Sequence, residues 1–288
     1  MTKIDITSTI KNEYIKALKE TLLTPKKKIF SAHAKRFFTF LKTNLQLTNH
    51  QIKALLTNEN IDSLIRQYGV KQTHEDDYKI YDDFRKVWAK KLVALSNVKV
   101  CPYCNRNFIV NFSETGTTVE LDHFFSKDDY PYLAISLYNL IPSCHTCNHM
   151  KRKKKLKLYP YKESINEYFQ FSHKLLKLPY NEENLELVLV KKQNNRKARK
   201  KLNNYNRVLQ IESLYKNHKD IVLELIQKSV MYNESYIEEL MKNYEGTLFK
   251  NEEDLLRLIF GGYISDEDLG KRPLSKLTKD ILEQLEIV

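Results

Sequence analysis

The chain has 288 residues, 42% of them hydrophobic, enough for one large core or two smaller ones. No run of about 18 apolar residues occurs and no charged-then-apolar leader precedes the first helical pattern, so a membrane span is excluded and a soluble cytoplasmic chain is expected. A formal charge of +12 and a pI near 9.2 point to polyanionic partners.

From Ser8 to about Ser96, apolar residues recur at helical spacing: Ile10, Tyr14 and Leu18; Phe30, His33, Phe37 and Leu41; Ile52, Leu55 and Leu56; Tyr81, Phe84, Val87 and Trp88. Thr24-Pro25, Thr48-Asn49 and Tyr68-Gly69 punctuate the pattern, which predicts four or five helices. Next come two β-favouring runs, 108–112 and 119–124, joined by the turn-like segment 113–117 and read as a hairpin. A loop at 127–131, a short apolar stretch at 133–141 and a helix from Cys144 to about Leu156 follow. Beyond Pro160 the pattern is mostly helical, with a β-like interruption at 185–190 and helical runs at 204–244, 252–260 and 274–285. The expected fold class is α+β, mainly α, in three regions: helical over 1–96, a small hairpin-and-helix core over 97–160, and mostly helical over 161–288.

All four cysteines fall into two Cys-x-x-Cys pairs, Cys101/Cys104 and Cys144/Cys147, with 39 residues between the pairs. Two thiolates three positions apart grip one ion, and a second pair completes the tetrahedral set that structural Zn²⁺ prefers. A disulfide framework belongs to small secreted chains rather than to a lysine-rich one of this length. A redox role does not explain two pairs flanking one short segment.

Between the pairs lie Asp122-His123 and Asn139, and Asn148 follows the last cysteine. A histidine that titrates near neutrality suits the role of general base toward water, so His123 is the candidate. Asp122 and Asn148 offer oxygen ligands to a hard cation, Mg²⁺ or Mn²⁺, whose open positions take water and a phosphate oxygen. Base and cation together are what phosphodiester hydrolysis requires. Successive strand residues point to opposite faces, so the strand is expected to end or bulge at Asp122-His123. The amide of Asn139 can bind backbone groups and hold the loop that carries the histidine, though spacing alone does not assign it. His145 and His149 are expected to meet solvent or phosphate, and Lys151 a phosphate. Two basic runs, 151–157 and 191–201, are suited to phosphates as well, and a solvated helix face is their ordinary alternative.

Four segments carry a specific resemblance: Cys-Pro-Tyr-Cys at 101–104, Leu-Asp-His-Phe-Phe-Ser-Lys at 121–127, Tyr-Pro-Tyr-Leu-Ala at 130–134, and Tyr-Asn-Leu-Ile-Pro-Ser-Cys-His-Thr-Cys-Asn at 138–148, with Lys151. Together they resemble an HNH endonuclease of the zinc-bearing ββα-metal class over roughly residues 98–158. The resemblance implies a small ββα-metal core with a zinc site of four cysteines. His123 would be its general base, Asn139 the loop-ordering asparagine, and Asp122 and Asn148 the ligands of a catalytic Mg²⁺ or Mn²⁺. Asparagine stands at 148 where the motif is named for histidine, which bears on metal preference. Lys127, Lys151, Arg152, Lys153 and Lys154 are the implied nucleic-acid contacts.

The flanking helices, with Phe260-Gly261-Gly262-Tyr263 and Lys271-Arg272-Pro273-Leu274-Ser275, resemble the HNH subunits of bacterial anti-phage systems such as Septu and some retron-associated modules. That resemblance implies DNA as substrate and an AAA or ABC-type ATPase as partner, with self-association as the other restraint on an open nuclease. An RNA-cleaving toxin-like nuclease has the same metal chemistry, because the phosphate backbone is common to both polymers. A zinc-stabilised nucleic-acid-binding protein without catalysis would have no need of Asp122, His123 and Asn148 together.

Overall fold

Among the described residues helices dominate the order of elements, with two separate two-stranded antiparallel sheets between them, so the fold is α+β and mainly helical. The computed structural model describes residues 3–22, 32–96, 98–114 and 116–288; the expected Thr24-Pro25 turn, Phe30 and Thr115 lie outside the described residues. The chain divides into two units, Ile4–Asn97 with Ile109–Tyr161, and Met1–Lys3 with Val98–Phe108 and Lys162–Val288. Among the described residues no helix is long and apolar enough to cross a membrane.

The first unit begins with five helices: α1 (Ser8–Leu22), α2 (Ala32–Asn44), α3 (Asn49–Leu56), α4 (Ile61–Tyr68) and α5 (Ile80–Leu95). Thr48 and Gln51 form a reciprocal capping box at the start of α3, and the Asn60 side chain accepts the Ser63 N–H at the start of α4. Gly69 stops α4 at φ 65°, a conformation open to glycine at little cost. Phe84, Trp88 and Leu92 recur every fourth residue on α5 and are buried together, each contributing about 1.5–3 kcal/mol by leaving water. Tyr14 of α1 meets Phe84 and Trp88 edge-on, with ring centroids 5.6 and 5.3 Å away, and its hydroxyl donates to the Ile135 carbonyl at 2.6 Å. Tyr81 of α5 donates to the Leu121 carbonyl at 2.6 Å. The helical layer is thereby bonded to the segment holding the candidate site.

The sheet of this unit pairs β1 (Glu120–His123) with β2 (Leu140–Ser143), and α6 (His145–Lys151) follows directly. This corrects the expected hairpin of 108–112 with 119–124. Segment 108–112 instead makes the isolated bridges Val100↔Phe108 and Asn111↔Thr117, with the Thr118 N–H donating to the Val110 carbonyl and the Phe112 N–H to the Gly116 carbonyl, and both Phe108 and Phe112 are exposed. The partner that β1 takes is the fully buried Leu-Ile-Pro-Ser run, which removes more apolar surface from water than the nearer candidate does. Helix α6 is also shorter than expected: Arg152 leaves it at φ 44°, where four further cations would otherwise stack on successive turns.

The second unit is built on β3 (Phe169–Leu175) and β4 (Leu185–Lys191), paired from Phe169↔Lys191 to Leu175↔Leu185. Phe169 and Phe171 on one strand and Leu185, Leu187 and Leu189 on the other fill the core face. Helices α7 (Arg196–Leu209), α8 (Ile211–Tyr215), α9 (Lys219–Met231), α10 (Glu234–Tyr244), α11 (Glu252–Phe260) and α12 (Ser275–Gln284) follow, with the expected helical stretch 204–244 divided among α7 to α10. Inside this unit Lys276 and Asp280 of α12 form a wholly buried ion pair, and Asp280 accepts the Phe171 N–H at 2.8 Å. Burial drives the lysine pKa down and the aspartate pKa up, against the pull of each on the other.

Candidate metal centre and active site

Each knuckle is shaped by its own surroundings. In the second unit the Cys101 N–H donates to the Asn107 carbonyl at 2.9 Å and the Asn105 N–H to the Cys101 carbonyl at 2.8 Å. Asn105 turns the chain at φ 51°, and the Arg106 N–H then points at the Cys104 sulfur, 3.4 Å away. Buried Asn105 is held at both ends of its amide: Nδ2 donates to the Leu269 carbonyl at 2.6 Å and Oδ1 accepts the Lys276 N–H at 2.9 Å. Tyr215 donates to the Cys104 carbonyl at 2.6 Å. In the first unit Cys144 caps α6 in an extended conformation and its carbonyl accepts the Asn148 N–H at 3.1 Å, while Cys147 lies in the first turn.

All four cysteines are buried without a disulfide, and their sulfur atoms lie within 4.8 Å of one another. Four soft thiols at that separation, one with a backbone N–H aimed at it, suit a tetrahedral zinc ion.

The ladder of β1 runs regularly through Asp122↔Ile141 and stops at His123↔Leu140, so the strand ends at the dipeptide without a bulge. The His123 ring lies 4.3 Å from that of Tyr81, and its Nε2 is 2.8 Å from the Ala134 carbonyl oxygen. A carbonyl only accepts, so Nε2 carries the proton and Nδ1 is left as the basic nitrogen. Burial pushes the imidazole pKa down to about 3, and Lys127 and Lys151 add to the lowering.

Asn139 is wholly buried and holds the loop that follows His123. Its Oδ1 accepts the Phe125 N–H at 2.8 Å, its Nδ2 donates to the carbonyls of Phe125 at 3.0 Å and Leu133 at 3.1 Å, and its own carbonyl accepts the Phe124 N–H.

Asp122 is buried against Lys151, whose ammonium lies 3.0 Å from its carboxylate and donates to the His123 carbonyl at 2.6 Å. Lys151, grouped by sequence with the basic run as a phosphate contact, is thus inside the unit instead. Asn148 donates to Glu120 at 2.7 Å, and the same carboxylate meets His145 at 2.7 Å, raising the histidine pKa. The rings of His145 and His149 stack at 5.9 Å, and His149 meets the Arg152 guanidinium at 2.9 Å. Lys127 lies over the rings of Tyr78 and Tyr81 at 5.0 and 4.9 Å. Arg152, Lys153 and Lys154 are exposed, and Lys153 pairs with Asp128.

The arrangement therefore gathers Asp122 with Lys151, and Asn148 with Glu120 and His145. Among the described residues the cysteines are the sole cluster of three or more histidine, cysteine or acidic ligands. The places of Glu120, Tyr81 and Ala134 beside the site were not among the sequence expectations. Glu120 had a signal: it lies two residues before Asp122 on a strand and so shares its face.

The Septu protein PtuB of Bacillus thuringiensis is 35% identical to this chain over 69 residues, which make up 23% of this chain and 25% of that protein. The match thus spans about a quarter of the relative. No family model and no solved structure matches the chain.

Proposed function

We propose that the chain is a metal-dependent HNH endonuclease that hydrolyses phosphodiester bonds of DNA, and that it acts as the effector of an anti-phage system. The observation that carries this reading is the tautomer of His123: its Nε2–H is committed to the Ala134 carbonyl, so Nδ1 is the nitrogen able to take a proton from an attacking water. Burial lowers the imidazole pKa to about 3 rather than leaving it near neutrality as expected, which keeps Nδ1 unprotonated but makes it a weaker base, so the role rests on the tautomer and not on the titration.

Asn139 fixes the loop from Phe125 to Leu133 and with it the approach to the ring. Lys151 neutralises Asp122 and ties the end of α6 to the end of β1. The hard oxygen donors of Asp122 and Asn148 suit Mg²⁺ or Mn²⁺, and Glu120 adds a third beside Asn148. Such a cation would stabilise charge on the phosphate and on the leaving 3′ oxygen. Similarity to a Septu protein supports the defence setting, in which an ATPase partner or self-association would hold the nuclease in check.

Purified protein with Mg²⁺ or Mn²⁺ should nick plasmid DNA, and His123→Ala should lower the rate by at least about 1,000-fold at unchanged zinc content and far-UV spectrum. Equal cutting by parent and variant would overturn the assignment.

A further inference from the structure

The basic run at 191–201 has no part in the site just described. Helix α7 begins within it, capped by Asn195, whose side chain accepts the Ala198 N–H at 2.7 Å. Its inner face is settled by Ala198, Tyr205, Val208 and Leu209, all buried. Its outer face consists of Arg196, Lys197, Arg199, Lys200, Asn203 and Arg207, all exposed. Positions 196, 199, 200, 203 and 207 follow the three-and-four spacing of one helical stripe, about 17 Å long at ~1.5 Å per residue.

Three properties separate this stripe from an ordinary solvated face. No Asp or Glu occurs from Lys191 to Ile211, so the helix carries none of the opposite charges that usually interleave with lysine and arginine. Among the described residues no carboxylate pairs with any of the five cations of this outer face, Arg196, Lys197, Arg199, Lys200 and Arg207, although Lys192 and Lys201 beside it are paired with Glu283 and Glu163. The outer face also offers no apolar side chain. A protein-docking surface needs an apolar or aromatic centre to desolvate, and this one has none.

We propose that α7 is a nucleic-acid backbone-binding surface, which takes successive phosphates of a duplex along one strand by charge and without base readout. Cations one helical turn apart, about 5.4 Å, are spaced on the scale of one strand's phosphates, which advance about 3.4 Å each along the duplex axis, and guanidinium groups add bidentate contacts to phosphate oxygens. The surface shares with the nuclease reading only its class of ligand. It would hold DNA whether or not the chain cuts.

The test is fluorescence anisotropy with a labelled duplex of about 30 base pairs in buffer without Mg²⁺ or Mn²⁺ and without chelator, so that the cysteine site is left undisturbed, across a series of NaCl concentrations. The variant neutralises the stripe: Arg196→Gln, Lys197→Gln, Arg199→Gln and Lys200→Gln. A control removes the same charge elsewhere, at exposed Lys174, Lys177, Lys242 and Lys250, each to Gln. The α7 variant should bind at least about 30-fold more weakly at 100 mM salt, and its slope of log affinity against log salt should fall by about 3. The control should change affinity by less than about 3-fold. Parent-like binding by the α7 variant overturns the proposal, as does an equal loss in the control. So does selective loss of binding to an acidic polypeptide, poly-glutamate, with duplex binding unchanged. Plasmid nicking in Mg²⁺ is scored separately, so a chain that binds through α7 and never cuts sinks the nuclease reading and leaves this one standing.

Discussion

Each unit buries a lysine–aspartate pair, and the two pairs do different work. Lys276 and Asp280 are four residues apart on α12; their pairing is local, and the spare carboxylate oxygen is spent on the Phe171 N–H of β3. Lys151 and Asp122 come from different elements, and the spare capacity of the ammonium goes to the carbonyl of His123, the residue proposed to take the proton. A buried ion pair seldom adds net stability over an apolar replacement, since desolvating two charges costs about what their attraction returns. The α12 pair thus orients a helix against a sheet, and the β1–α6 pair orients a strand end around an imidazole.

The sharpest way to break that contrast is to compare the two aspartates. Asp122→Asn should lower DNA cleavage by at least about 1,000-fold, whereas Asp280→Asn should leave cleavage per folded molecule within about 2-fold of the parent, by plasmid nicking normalised to the native fraction. Similar losses in both would erase the distinction. At the level of stability the pairs should instead look alike. Lys151→Met and Lys276→Met each strand a buried carboxylate and should each lower unfolding free energy by about 3–5 kcal/mol in urea titrations. A loss at one site alone would show that the other carboxylate finds relief.

The histidines give a smaller contrast, in sign. Burial holds His123 down to about 3 from an ordinary 6.5, so its folded form favours the neutral ring. Its stabilisation is complete above about pH 6.5 and is lost as pH falls from there toward 3. His145 is raised by Glu120, so its contribution is present below 6.5 and is lost as pH rises through the raised value. NMR titration of the two imidazoles should give midpoints on opposite sides of 6.5; a His123 midpoint near 6.5 would remove the basis for a base that stays neutral. Smallest of all, His145→Ala should leave the urea unfolding midpoint close to that of the parent, because the pair it breaks is exposed.

What could be seen in advance follows the range of the forces involved. Cysteine spacing is a local chemical statement, and the gathering of four sulfurs was legible from it. Helical spacing predicted four or five helices before residue 96, and five stand among the described residues, because their faces pack continuously. Strand pairing is a choice among distant partners, and there the reading failed: Phe108 to Phe112 is as apolar as Leu140 to Ser143, and nothing local says which one Glu120 to His123 will bond. Strand β3 has a weak signal in the sequence because His173 breaks the side that Phe169 and Phe171 begin, while Gln170, Ser172 and Lys174 occupy the other face. Burial of Lys151 was hidden for another reason. It sits in a row of cations, and only the fold turns it toward Asp122 while its neighbours face water.

Asn105 has a reach well beyond the turn it makes. Its left-handed backbone shapes the first knuckle, its carbonyl accepts the Leu274 N–H at 2.6 Å, and its side chain grips Leu269 and the start of α12. An ion held by the cysteines would therefore couple its own binding to the seating of the last helix: tightening the knuckle would fasten α12, and removing the ion would loosen it. Limited proteolysis between α11 and α12 would then report zinc occupancy from a place that holds no ligand.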